Sequence, residues 1–152
     1  MNKNEALKKY FGHNEFRPSQ ALVIDALLLG RDVLGVMPTG AGKSVCFQIP
    51  ALLLPGATVV ISPLISLMKD QVSQLRQAKI PAAYINSSLT AEEYREALHN
   101  VKNGRYKIIY VAPERLATSD FLQFALETQI SLIAVDEAHC VSQWGRTSDR
   151  AI

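Results

Sequence analysis

Apolar residues along the chain fall into short β-branched runs and longer stretches at helical spacing, cut apart by Gly and Pro. Their alternation is the pattern of βα units wound around a parallel sheet. A first helix is expected over roughly Asn4–Tyr10. A second is expected from Pro18 to Leu29, with Pro18 in its first turn, where the missing N–H costs nothing, and Gly30 as its stop. Asp32–Met37 then reads as a buried strand, and a Gly-rich turn leads into a helix over Lys43–Leu53. Pro55 and Gly56 break that helix before a strand over Thr58–Ser62.

The second half repeats the alternation. Ile65–Ala78 carries apolar residues at helical spacing and ends before Pro81, which precedes a short strand, Ala82–Asn86. Thr90 and Glu93 stand in capping-box spacing at the start of a helix that runs to Asn103 and stops at Gly104. A strand over Lys107–Ala112 and a helix over about Pro113–Glu127 follow. Ser131–Val135 is a continuous apolar strand that delivers Asp136 and Glu137 at its carboxyl end. The predicted class is α/β with a parallel sheet, and ligands of such folds bind at the carboxyl edge of the strands.

Size and composition narrow the function without naming it. With 152 residues, 48% hydrophobic and 20% charged, the chain has the length and balance of one globular domain. A net charge of +2 and a pI near 8.6 neither require nor exclude a nucleic acid partner. Cys46 and Cys140 form no CxxC pair, so neither a zinc site nor a disulfide framework is indicated, and a reduced, cytoplasmic setting is expected. The longest apolar stretches fall far short of the ~20 residues of a membrane span. No membrane partner is expected.

Two segments carry chemistry. Met37 to Ser44 places Thr39, Gly40, Ala41, Gly42 and Lys43 between a predicted strand and a predicted helix, the context in which a Gly-rich loop cradles phosphate. The glycines let backbone N–H groups approach phosphate oxygens, Lys43 can reach the β- and γ-phosphates, and Ser44 can hold Mg²⁺. Met37 stands where the strict pattern has Gly, so the loop is a variant. The competing reading is a strand-to-helix turn without a ligand. The second segment, Asp136, Glu137, Ala138 and His139, sets two carboxylates at the sheet edge beside that loop. One, Asp136, can hold Mg²⁺ while Glu137 polarises an attacking water, the division of labour that phosphoryl transfer to water needs.

Taken with several motifs in matching order over residues 7 to 145, the chain resembles the RecQ family of DNA helicases among the DEAH-box enzymes. Phe11, Gly12 and His13 with Phe16 to Gln20 are similar to the family's adenine-binding motif. The resemblance implies that Gln20 reads the adenine edge, that His13 occupies the position of a base-stacking residue, and that Arg17 supports the nucleotide. Ser62 to Met68, with Ser62 and Pro63 at its head, and Ala112 to Leu116, with Arg115, are similar to motifs that follow single-stranded DNA through its phosphates. On residue type alone, both segments simply start helices. Cys140 to Gly145 is similar to the start of the family's aromatic-rich loop, which implies DNA contacts from Gln143 and Trp144, the latter as a stacking platform. His139 completes the DEAH box.

The resemblance implies a RecA-like P-loop NTPase domain, ATP and Mg²⁺ as ligands, and 3′ to 5′ translocation on single-stranded DNA with unwinding of partially duplex DNA. It also implies a bacterial-type cytoplasmic location at the nucleoid. Residues 1–145 are expected to form part of the first such domain. Residues 146–152 depart from the pattern. A codon choice for Thr147–Ile152, read from a preceding G, encodes Asp-Phe-Arg-Pro-Ser-Tyr, the string that the family leads one to expect, so this tail is read as frameshifted. The resembled family has a further strand between the loop strand and the DEAH strand, and its absence predicts an incomplete sheet. A module that binds ATP or DNA without turnover, and an inert fragment, are the rival expectations.

Overall fold

The computed structural model describes residues 1–37 and 42–137. Four strands, β1 (Ala57–Ile61), β2 (Ala82–Ile85), β3 (Ile108–Val111) and β4 (Ile130–Val135), pair in parallel in the order β2-β3-β1-β4. The helices between and before them are α1 (Lys3–Ala6, continued by a wider π turn over Leu7–Phe11), α2 (Pro18–Leu28), α3 (Val45–Leu53), α4 (Ile65–Gln77), α5 (Ala91–Lys102) and α6 (Ser119–Glu127). Strand–helix alternation thus yields the parallel α/β sheet that the apolar pattern predicts.

The sheet is buried on both faces because its strands send alternate residues to two helical layers. Val60, Ile108 and Tyr110 pack with Phe47 and Ala51 of α3 and with Met68, Val72 and Leu75 of α4. On the opposite face Val59, Ile109 and Val111 meet Tyr94, Leu98 and Val101 of α5 and Phe121 and Phe124 of α6. A smaller cluster of Ala6, Leu7, Ile24 and Ile49 holds the two N-terminal helices against α3.

Local chemistry sets most of the boundaries. Thr90 accepts from the Glu93 N–H while the Glu93 carboxylate accepts from the Thr90 N–H, so the predicted capping box opens α5. The single helix expected over Pro113–Glu127 is instead a short 3-10 turn, Pro113–Arg115, followed by α6. The Thr118 hydroxyl causes the break. It donates to the Arg115 carbonyl at 2.8 Å and accepts from the Phe121 N–H at 3.3 Å, so it closes one turn and caps the next helix.

The expected strand over Asp32–Met37 is not formed. Leu34 and Val36 are 84% and 89% exposed, and no described strand runs beside them. An extended segment gains ladder hydrogen bonds only from a neighbour. Here the nearest candidate, β4, lies across a cavity of about 520 Å³ lined on one side by Val33, Leu34 and Val36 and on the other by Leu132 and Ile133. The β4 edge facing it has no described partner strand, and Ile133 on this strand is 61% exposed.

An unpartnered edge with exposed β-branched residues is a template for intermolecular pairing, and a charge placed on it blocks that route. Ile133→Lys is expected to leave the unfolding midpoint of the chain within about 0.5 kcal/mol of the unaltered protein, since the side chain is already exposed. Light scattering across a dilution series should show less association than in the unaltered chain, and equal association would refute the edge-pairing account.

Candidate functional site

The parallel register brings the ends of the strands to one level. Ile61 of β1 lies opposite Val111 of β3 and Val135 of β4. One residue further on, the Ser62 N–H donates to Val111 at 3.1 Å, the Asp136 N–H donates to Ile61 at 2.9 Å and the Ala112 N–H donates to Ile85 at 3.0 Å. Ser62, Ala112 and Asp136 therefore share the carboxyl edge, together with Asn86 at the end of β2.

At this edge three charged groups converge. The Lys43 ammonium lies 3.7 Å from a carboxylate oxygen of Glu137. Asp136 takes the Glu137 N–H on Oδ1 at 3.0 Å, and Glu137 itself adopts a left-handed φ of +57°. Such a conformation costs a non-glycine residue on the order of 1–3 kcal/mol and recurs where a side chain must be aimed. Burial, and then the adjacent Glu137 charge, push the Asp136 carboxyl above its ordinary range, against the opposing effects of the Glu137 N–H, Lys43 and a hydrogen bond from Gln71. Beneath them the buried Tyr110 hydroxyl accepts from the Gln48 amide at 3.1 Å, and burial raises this phenol above its ordinary range too.

This charge balance fits a divalent cation. Two adjacent carboxylates, one of them held up by burial and mutual repulsion, gain from a positive charge that Lys43 only partly supplies. Among the described residues no group of three or more His, Cys, Asp or Glu forms a metal cage. A donor set of one carboxylate and one hydroxyl, Asp136 and Ser44, suits Mg²⁺ that arrives with phosphate oxygens and its own water. The 520 Å³ cavity reaches Lys43, Asp136 and Glu137 at one end, but most of its wall is apolar, as expected of a gap beside a strand.

Gln20 joins the N-terminal motif to the phosphate loop directly. It is buried at the third position of α2, and its Oε1 accepts from the Arg17 N–H at 2.9 Å while its Nε2 donates to the Gly42 carbonyl at 3.1 Å. Gly42 has a φ of +72°, and a Cβ there would collide with the Gln20 amide. Glycine is thus required for this approach as well as for the turn. Ser44 starts α3, where its carbonyl accepts from the Gln48 N–H at 2.9 Å. His13 and Arg17 are exposed. Thr39, Gly40, Ala41, His139, Gln143 and Trp144 lie outside the described residues.

The remaining predicted residues have internal work. Ser62 is 1% exposed, and its hydroxyl accepts from the Leu64 N–H at 3.4 Å, which turns the chain from β1 into α4. Pro63 is half-buried beside it. Arg115 places its guanidinium 4.8 Å from the Tyr94 ring centroid and donates to the Asn86 carbonyl at 3.1 Å. Sequence reasoning passed over Gln71. Its signal was a polar residue in the stripe Met68, Gln71, Val72, Leu75, where α4 otherwise buries apolar groups.

Residues 17–151 match the DEAD/DEAH box helicase family model. The chain is 51% identical over 139 residues to an ATP-dependent DNA helicase RecQ of Haemophilus influenzae, which covers 91% of this chain and 22% of that protein. It is 50% identical over 140 residues to the Bacillus subtilis ATP-dependent DNA helicase RecQ, covering 91% of this chain and 24% of the relative. The chain therefore spans about a quarter or less of the length of these two relatives. A crystal structure of a hypothetical ATP-dependent RNA helicase from Sulfolobus tokodaii superposes with a TM-score of 0.73 at 23% identity, over 98% of this chain and 45% of that one, and so shows the same fold.

Gln20→Glu tests the brace on the loop. A carboxylate still accepts from the Arg17 N–H but cannot donate to the Gly42 carbonyl. Urea unfolding is expected to show a loss of about 1–3 kcal/mol, the cost of a buried polar group deprived of its partner. An unchanged midpoint would mean that the amide does not hold the loop.

Proposed function

The chain belongs to the DEAD/DEAH box helicase family, and from that premise we propose that it is the nucleotide-binding part of a RecQ-type ATP-dependent DNA helicase. The observation that carries this reading is the meeting of Lys43, Asp136 and Glu137 at the carboxyl edge, on a loop braced by Gln20. In this reading the loop residues Thr39 to Lys43 cradle the phosphates of ATP. Gln20 and His13 face the base, with Arg17 supporting the nucleotide. Ser44 and Asp136 hold Mg²⁺, which when bound offsets phosphate charge and orients the β- and γ-phosphates.

The residues then act in sequence. Phosphate oxygens compete for the Lys43 ammonium, which exchanges the Glu137 carboxylate for the entering ligand. Glu137, released from that pairing, takes a proton from the attacking water at a carboxylate oxygen. The water oxygen bonds to the γ-phosphorus as the bond to the β–γ bridging oxygen breaks, giving ADP and phosphate. Asp136 stays ionised through the Glu137 N–H, Lys43 and Gln71, and His139 completes the same box.

Ser62, Pro63, Arg115, Gln143 and Trp144 make up the proposed track for single-stranded DNA, with duplex unwinding and 3′ to 5′ movement as activities of the larger protein. Support comes from the placement of Ser62 and of the Arg115 turn on the edge that carries Asp136. No described helix is long and apolar enough to cross a membrane. The domain is proposed to occupy residues 1–145, with 146–152 as a frameshifted tail.

Lys43→Ala is expected to weaken binding of a fluorescent ATP analogue ~10–100-fold, because it removes charge-assisted hydrogen bonds to phosphate. Glu137→Gln should leave that binding within a few-fold and cut phosphate release ~10²–10⁴-fold, the usual contribution of a positioned proton acceptor. Binding that survives Lys43→Ala would place the nucleotide elsewhere. Binding without phosphate release in the unaltered chain would make it a module without turnover.

A further inference from the structure

The helix that follows β1 carries an amide where its neighbours are apolar. In α4, Met68, Val72 and Leu75 are 0%, 1% and 2% exposed and seal the helix onto the sheet. Gln71 lies in the same stripe and is 9% exposed. Leucine or methionine would satisfy such a position, and burying an amide there is unfavourable unless it is hydrogen-bonded. Half of the amide is bonded: its N–H group donates to the Asp136 carboxylate. Its Oε1 is buried and has no hydrogen-bond partner among the described residues.

The two halves of one amide thus differ in a way that suits a hydrated cation. Mg²⁺ dehydrates reluctantly and keeps several waters, each of which must donate its protons to an acceptor. A buried acceptor joined to a donor that already orients the metal-holding carboxylate is the arrangement by which outer groups fix metal ligands. We propose that Gln71 is a positioning residue for the Mg²⁺ of this site, with its N–H group fixing Asp136 and its Oε1 accepting a proton from metal-bound water. This inference rests on the Mg·ATP reading above and adds a residue that neither the phosphate loop nor the DEAH box contains.

The test uses the full 152-residue chain and Mg²⁺ with a fluorescent ATP analogue. Gln71→Leu and Gln71→Met both keep the apolar stripe, so at least one folded variant is expected, as judged by circular dichroism and melting. Nucleotide affinity in EDTA should stay within two-fold of the unaltered chain. The Mg²⁺ concentration that gives half of the metal-dependent fluorescence change should rise ~10-fold or more, the usual cost of losing an outer-shell partner. Gln74→Leu, an exposed position on the same helix, should leave it unchanged. A Mg²⁺ requirement unaltered within two-fold in a folded Gln71 variant overturns the inference while leaving the Mg·ATP reading intact. If the unaltered chain shows no Mg²⁺-dependent change at all, both fall together.

Discussion

Parallel pairing of β1 with its neighbours is the constraint on which the rest of the molecule depends. Because Ile61 lies level with both Val111 and Val135, the residues just past the strands emerge at one edge, and the Asp136 N–H is tied to the Ile61 carbonyl. A slip of one residue would turn every side chain of β4 to the opposite face. Leu132 and Ala134 would leave the α3 and α4 side of the core, and the carboxylates would leave Lys43. The apolar alternation that builds the core therefore also sets where the charges stand.

Once placed, those charges are held in an unfavourable balance that suits ligand binding. Asp136 and Glu137 are adjacent in sequence, partly removed from water, and served by one ammonium at 3.7 Å. Two neutral amides assist: Gln71 donates to Asp136 directly, and Gln48 fixes the Tyr110 hydroxyl in the layer beneath. A site that is under-compensated in the protein alone gains most when a cation and a polyphosphate arrive together. The left-handed turn at Glu137 is a further local cost at the same point.

Helix α4 joins two regions of this edge that the motifs alone treat separately. It begins where the buried Ser62 hydroxyl turns the chain at the end of β1, and two turns later it touches Asp136 through Gln71. On the far flank the sheet is less finished. The segment 32–37 and β4 face each other across a cavity, with Leu34, Val36 and Ile133 exposed around it. The stability of the described fold therefore rests on β1, β3 and the helices that cover them, and the nucleotide site stands at the border between this core and the open flank.

Much of this was legible in the chain itself. Periodicity, the Thr90 and Glu93 cap, and the Gly and Pro breaks determine the parallel α/β alternation, because each is a local preference read within a few residues. The loop around Lys43 and the pair Asp136 and Glu137 were likewise visible as residue types in a strand-end context. Tertiary structure decided what depends on neighbours distant in sequence. The apolar run 32–37 has strand composition but no pairing partner, so it does not become a strand. Gln20 turns out to brace Gly42, 22 residues away, and Arg115 packs on Tyr94. Gln71 meets Asp136 only because α4 lies across the sheet. A hydrogen bond between elements has no signature in either segment alone, and its direction and worth are set by the fold that brings the two together.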